Sequence, residues 1–247
     1  MRKRVTRRLA PHQALWLWIA ATALGAVALK AEYSAASAAQ LGWMLRPVAW
    51  MLQGLLRQPF HLTPAGEWQC DAAGIVLVKA CAGINFMVMS FLGWCWLGMP
   101  LGTVRMNGAL WWRWSLRLAG ALVAAWLVAV LVNATRILVL IAVGPALDSW
   151  LGTAMAHRLI GLAVFLPALT AQLLIGERQL RGQAAVVAGA LYLLVMIATP
   201  LLTGEAMTHA TRYREHALTL LTVIAPLLLW GVLSWFRHRA RLARGEW

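Results

Sequence analysis

The chain has 247 residues, 62% of them hydrophobic and only 12% charged, with 15 tryptophans and a net charge of +14. That balance excludes an ordinary soluble domain. It supplies several times over the roughly 20 apolar residues that a bilayer-spanning helix needs. The sequence therefore predicts a single transmembrane domain over residues 1–247 with no separate soluble part. In a soluble protein the positive charge would point to nucleic acid. In a membrane protein the positive-inside rule accounts for it, so no nucleic-acid partner is expected.

The N-terminal Met1-Arg2-Lys3-Arg4-Val5-Thr6-Arg7-Arg8 precedes an uncharged run from Pro11 to Leu29. The run is too long for the h-region of a signal peptide and no small-residue cleavage site follows, so it reads as a start-transfer anchor and helix one. From Gln40 to Arg57 the pattern changes. Leu41, Met44, Leu45, Val48, Met51, Leu52 and Leu55 recur at helical spacing, with Gly42, Arg46, Gln53 and Arg57 on the other face. Trp43 and Trp50 suit headgroup depth, and the segment predicts an amphipathic or re-entrant helix bent at Pro47.

Next come the turn-prone Thr63-Pro64-Ala65-Gly66 and Asp71-Ala72-Ala73-Gly74, then the β-like Ile75-Val76-Leu77-Val78. They predict a small extracytoplasmic hairpin that delivers Cys81 to the membrane edge. Helix two is expected over Ile84–Val104, followed by a basic loop carrying Arg105, Arg113 and Arg117. Helix three is expected from Leu118 to about Val143 and helix four from about His157 to Ile175, followed by Glu177-Arg178-Gln179-Leu180-Arg181. Helix five is expected over Ala184–Leu202, helix six over Ala217–Phe236, and a basic tail over Arg237–Arg244. The predicted fold is all-α, a polytopic helical bundle with about six transmembrane helices, one amphipathic or re-entrant helix and the small hairpin.

With six spans and both termini in the cytoplasm, inner segments carry 14 of the 22 Lys and Arg: five N-terminal, three after helix two, two after helix four and four in the tail. If the amphipathic segment also spanned, the later basic clusters would face outward. The same orientation puts Cys81, Arg136 and His157 at the outer face, although none lies in the loops that were counted. Arg136 has eighteen uncharged residues before it and eleven after. A charge so placed costs about 2.5–3.5 kcal/mol at mid-membrane and less near the edge, and it faces protein or water. Asn133 lies on the same helix face one turn earlier.

A thiol, an imidazole and a fixed donor are the parts of a cysteine hydrolase or transpeptidase. Cys81 would be the nucleophile, His157 the general base and acid, and Arg136 the oxyanion or substrate-carboxylate donor. The sequence has no C-x-x-C, no H-E-x-x-H and no cluster with zinc spacing, so neither metal nor cofactor is implied.

Three stretches carry a further signal: Ala80-Cys81-Ala82-Gly83, Asn133-Ala134-Thr135-Arg136 and His157-Arg158-Leu159-Ile160-Gly161. In order and placement they resemble the A-C-S-G, N-x-x-R and H-x-x-x-G blocks of the exosortase/archaeosortase family. The resemblance covers about Lys79 to Val164. It implies a membrane cysteine transpeptidase of the bacterial inner membrane with its active site at the periplasmic face. Its partners would be exported proteins that end in a short sorting motif such as Pro-Glu-Pro, a transmembrane helix and a basic tail. By the same resemblance Cys81, Arg136 and His157 are catalytic; Asn133, Gly83 and Gly161 of these blocks, together with Asn85 just after the first, are expected to support them or bind substrate. Ala82 departs from the pattern, since the family carries Ser there.

Plainer readings stand beside these. A membrane cysteine is usually a packing residue, and Cys95 between Trp94 and Trp96 reads that way. Cys70 is a candidate to bond Cys81 in an oxidising compartment. His61, His209 and His216 also fall outside and, in loop contexts, are rival bases. Arg158 reads as a snorkelling interface residue. The rival function is a small transporter or channel in which Arg136 and His157 bind an anion or relay protons. Against it, no inverted repeat is evident and the polar groups gather at one face, not the midplane.

Overall fold

The computed structural model describes residues 8–100, 104–105, 108–176, 183–202, 205–208 and 210–244. Among the described residues six helices are long and apolar enough to cross a membrane: Pro11–Ala35, Lys79–Leu97, Leu110–Leu151, Thr153–Ile175, Ala184–Leu201 and Tyr213–Ser234. The protein is an all-α polytopic membrane protein. The expected basic residues Arg2, Lys3, Arg4 and Arg7, the segment Glu177–Arg181 and His209 lie outside the described residues. The chain divides into two compact units, Met1–Ala134 and Thr135–Trp247.

In the first unit, α1 (Pro11–Ala35) starts with proline at its first position, where a missing N–H costs nothing. It continues past the expected end at Leu29 because Lys30-Ala31-Glu32-Tyr33-Ser34 contains no helix breaker. The amphipathic helix α2 (Gly42–Leu56) buries Met44, Leu45, Val48, Ala49 and Leu52. Leu55, expected on that face, is exposed instead. Arg57 ends α2 in a left-handed conformation.

The expected hairpin is a three-stranded antiparallel sheet of β2 (His61–Leu62), β3 (Trp68–Cys70) and β4 (Ile75–Leu77). Both expected turns form. Gly66 N–H donates to Thr63 O and Gly74 N–H to Asp71 O, each glycine with positive φ. Helix α2 packs against β3 and against the turn that carries Cys81, and its Arg46 guanidinium lies 6.0 Å from the centroid of the Trp68 ring of β3.

Helix α3 (Ile84–Leu97) stops short of the expected Val104, where Gly98 caps it and Pro100 follows. Residues 104–105 form strand β5, antiparallel to β1 (Arg8–Leu9). Helix α1 packs on α3 through Trp18, whose Nε1 donates to Cys95 O at 2.9 Å, and through Gly25, which faces Phe91. Helix α4 (Gly108–Leu151) is 44 residues long, about twice the spanning length. It starts ten residues before the expected Leu118, so Arg113 and Arg117 lie on a helix and not in a loop. Its end also absorbs residues 144–151, which the sequence placed outside a helix, with Pro145 inside it.

In the second unit, Gly152 with φ of 78° reverses the chain into α5 (Thr153–Gly176). Helix α6 (Ala184–Leu193) runs through a π turn, Leu194–Ala198, into α7 (Thr199–Leu202), together covering the expected helix five. The turn precedes Pro200, which has no N–H to donate, and Tyr213 Oη donates to Ile197 O at 3.0 Å. After α8 (Glu205–Thr208), α9 (Ala210–Ala243) begins well before the expected Ala217. His216 is therefore helical and not a loop residue. Helix α6 lies against both α5 and α9.

Candidate active site

In the first unit Cys81 sits on a single 3-10 turn, Lys79–Ala82, held by Cys81 N–H donating to Val78 O at 2.7 Å. The thiol residue is partly buried and Ala82 is wholly buried. Gly83 then adopts φ 70° and ψ 16° and launches α3. Only glycine takes that left-handed conformation without strain. Space requires glycine as well, because a Cβ there would lie 2.9 Å from Asn133 Cγ and 3.1 Å from Asn133 Cβ. The gap lets the buried Asn133, on α4, reach across the turn and donate its side-chain N–H to Cys81 O. The A-C-A-G and N-x-x-R stretches thus touch through an amide and a backbone carbonyl.

Asn85 accepts from Lys30 Nζ at 3.0 Å. Lys30 is 7% exposed, and with Lys79 it flanks the Tyr33 ring, their ammonium groups 5.3 and 5.1 Å from its centroid. Lys79 also donates to Ser34 O at 3.1 Å. Lys30 carried no signal of its own in the sequence. It lay one residue beyond the expected end of helix one, and its partner is 55 positions away. All three cysteines are free thiols; Cys70 is buried at the end of β3 and is not bonded to Cys81.

In the second unit Arg136 is 6% exposed and lies against one stripe of α5. The stripe is His157, Gly161 and Phe165, at successive spacings of four that share a helix face. Arg136 Nη1 is 2.9 Å from His157 Nε2. Its guanidinium stands 5.5 Å from the Phe165 ring centroid, and its Cδ lies 4.0 Å from where a Cβ on Gly161 would be. A guanidinium has donors only, so His157 Nε2 is the acceptor and the ring proton belongs on Nδ1. The buried cation is met by a lone pair and an aromatic face, groups that offset part of its desolvation. Phe165 was not among the expected site residues; it falls one turn beyond Gly161 on the face that carries His157.

Arg158 Nη2 lies 3.4 Å from Glu215 Oε2 on α9. His61, on β2, is exposed and 3.8 Å from Asp71. His216 has its Nε2 buried without a hydrogen-bond partner among the described residues. The expected site residues therefore fall into two groups, Cys81, Gly83, Asn85 and Asn133 in one unit and Arg136, His157 and Gly161 in the other. Cys81 meets Asn133, Arg136 meets His157 and Gly161, and Asn85 meets Lys30.

No family model, curated protein or solved structure matches the chain.

Proposed function

We propose that this protein is a membrane cysteine peptidase or transpeptidase of the exosortase type. It would act in the bacterial cytoplasmic membrane with both termini inside and Cys81 at the periplasmic face. Its substrates would be exported proteins with a C-terminal motif, a transmembrane helix and a basic tail, entering laterally from the lipid. The carrying observation is the pairing within each unit. Asn133 clamps the carbonyl of the thiol-bearing residue, and the one buried arginine of the block pattern touches the histidine of the next block. Neither contact is expected of residues that merely fill an apolar bundle.

The chemistry then runs in ordinary steps. Cys81 Sγ attacks the scissile carbonyl carbon, a C–S bond forms, and the oxygen becomes an oxyanion. His157 takes the thiol proton and returns it to the leaving nitrogen as the C–N bond breaks. Water or an acceptor amine then attacks the thioester and frees the thiol. His157 Nε2 is engaged by Arg136, so this lone pair works as a base only when Arg136 is drawn away. A substrate oxygen accepting from Arg136 would do that. Arg136 thus couples substrate arrival to release of the base, and it stabilises the oxyanion it has reached.

The test is co-expression with a secreted protein ending in motif, helix and Arg-rich tail, read as a mobility shift. Wild type should shorten it. Cys81→Ala should abolish cleavage, and His157→Ala and Arg136→Ala should slow it by about 10²-fold or more. Processing that survives Cys81→Ala would remove Cys81 as the nucleophile. The transporter reading, which needs only Arg136 and His157, requires that Cys81→Ala be tolerated.

A further inference from the structure

Strand β4 (Ile75–Leu77) runs straight into the candidate nucleophile. Its chain stays extended through Val78, at φ −87° and ψ 172°, and Cys81 follows on the next turn. Among the described residues β4 pairs only with β3, in the register Trp68↔Leu77, Gln69↔Val76 and Cys70↔Ile75, so its other flank is a sheet edge. The ladder shows which groups that edge offers. Thr63 N–H donates to Glu67 O at 2.8 Å, which turns the Glu67 backbone toward β2. Successive residues of a strand turn their N–H and C=O to opposite sides. Trp68 and Cys70 therefore bond toward β4, and their partners Leu77 and Ile75 bond back. Val76 N–H, Val76 C=O and Val78 N–H are left pointing away from the sheet, while Val78 O accepts from Cys81 N–H.

Native edges are usually blunted by proline, lysine, a bulge or a covering loop. Ile75-Val76-Leu77-Val78 contains no proline or lysine, and its Val76 and Val78 are 41% and 36% exposed. Lys79, just beyond, is drawn aside to Ser34 O and the Tyr33 ring. An open, β-branched edge of this kind is a template for an extended chain, held by main-chain hydrogen bonds with little demand on side chains. What the edge leads to fixes its occupant. The Lys79–Ala82 turn rises about 2 Å per residue and a strand about 3.3 Å. A peptide residue bonded to Val78 N–H therefore lies within about two residues of Cys81. We infer that the substrate segment beside the scissile bond binds as a fourth strand on the free edge of β4. The inference rests on the peptidase reading for the identity of that segment.

The experiment is amide hydrogen exchange, read by mass spectrometry, on the full-length Cys81→Ala protein in detergent. The probe is the secreted protein of the cleavage assay, with its motif, helix and Arg-rich tail. Saturating probe should slow exchange over residues 75–78 about tenfold or more, and should leave His61 and Leu62 on the opposite edge unchanged. In the same background Val76→Pro removes an N–H that the sheet does not use, so the melting temperature should hold while capture of the probe weakens about fivefold. Val76→Thr keeps the N–H and should capture the probe as before. The exchange result decides even where Val76→Pro fails to fold. Unslowed exchange at 75–78, or equal capture by the Val76→Pro and Val76→Thr proteins, overturns the inference. Slowing that appears on concentrating the protein without probe also overturns it, since the edge then pairs with a second copy. Whether wild type shortens the probe scores the peptidase reading separately. Slowed exchange with no cutting would support the docking edge and remove the peptidase.

Discussion

Around Cys81 the geometry is made by backbone: a 3-10 turn, a left-handed glycine and a carbonyl held by the Asn133 amide. Around Arg136 it is made by side chains projecting from a regular helix, where His157, Gly161 and Phe165 form a stripe and the guanidinium lies along it. A backbone-built element has few ways to relax, because the strain of a wrong residue falls on dihedrals and on a buried neighbour. A side-chain stripe can shift rotamers. The first region should therefore be brittle to small changes and the second should degrade gradually.

The largest effect on stability is expected from Gly83→Ala. The left-handed conformation costs an alanine about 1–2 kcal/mol, and displacing a buried Asn133 adds a comparable overpacking cost. A loss of about 2–4 kcal/mol in detergent unfolding is expected, and with it loss of the cleavage proposed above. A loss under about 0.5 kcal/mol would mean that the turn is not built as described.

Asn133→Ala should come next. It leaves the turn's dihedrals intact but takes the donor from Cys81 O, at about 1–3 kcal/mol. If Asn133→Ala unfolds like wild type while Gly83→Ala does not, the glycine acts through its own conformation and the clamp adds nothing.

Phe165→Leu tests the other region. It keeps an apolar residue of similar reach and removes the aromatic face from Arg136, for an expected loss of about 0.5–2 kcal/mol. Phe165→Trp should restore the interaction where it fits. An unchanged unfolding curve for Phe165→Leu would mean that the ring is only packing.

The helices were legible because long uncharged runs have few alternatives, and all six appeared. Their ends were not, because charge does not stop a helix. Lys30, Arg113 and Arg117 each sit inside one. Both turns of the sheet were legible because Gly66 and Gly74 are needed at positive φ. Within the candidate site, the residue types in the three blocks were legible, but their contacts were not. Asn133 meets a backbone carbonyl, which has no letter in the sequence, and Lys30 meets Asn85 across 55 positions. Phe165 went unmarked because a phenylalanine in an apolar helix is ordinary until a cation is found against it.

The smallest effect separates resemblance from geometry most sharply. The H-x-x-x-G block makes Gly161 a matched position just as A-C-A-G does Gly83, so on resemblance alone the two glycines should be equally intolerant. Their surroundings differ. A Cβ at Gly161 would meet Arg136 Cδ at 4.0 Å, an ordinary contact, and the residue lies inside the regular helix α5. Alanine is a better helix former than glycine by about 0.5–1 kcal/mol. Gly161→Ala should therefore be neutral or slightly stabilising in unfolding and should leave the Arg136–His157 contact intact. If it folds as well as wild type but loses cleavage, the missing side chain is leaving room for a substrate that passes close to α5. If it unfolds more easily by more than about 1 kcal/mol, Arg136 has no freedom to adjust, and the stripe is as brittle as the turn.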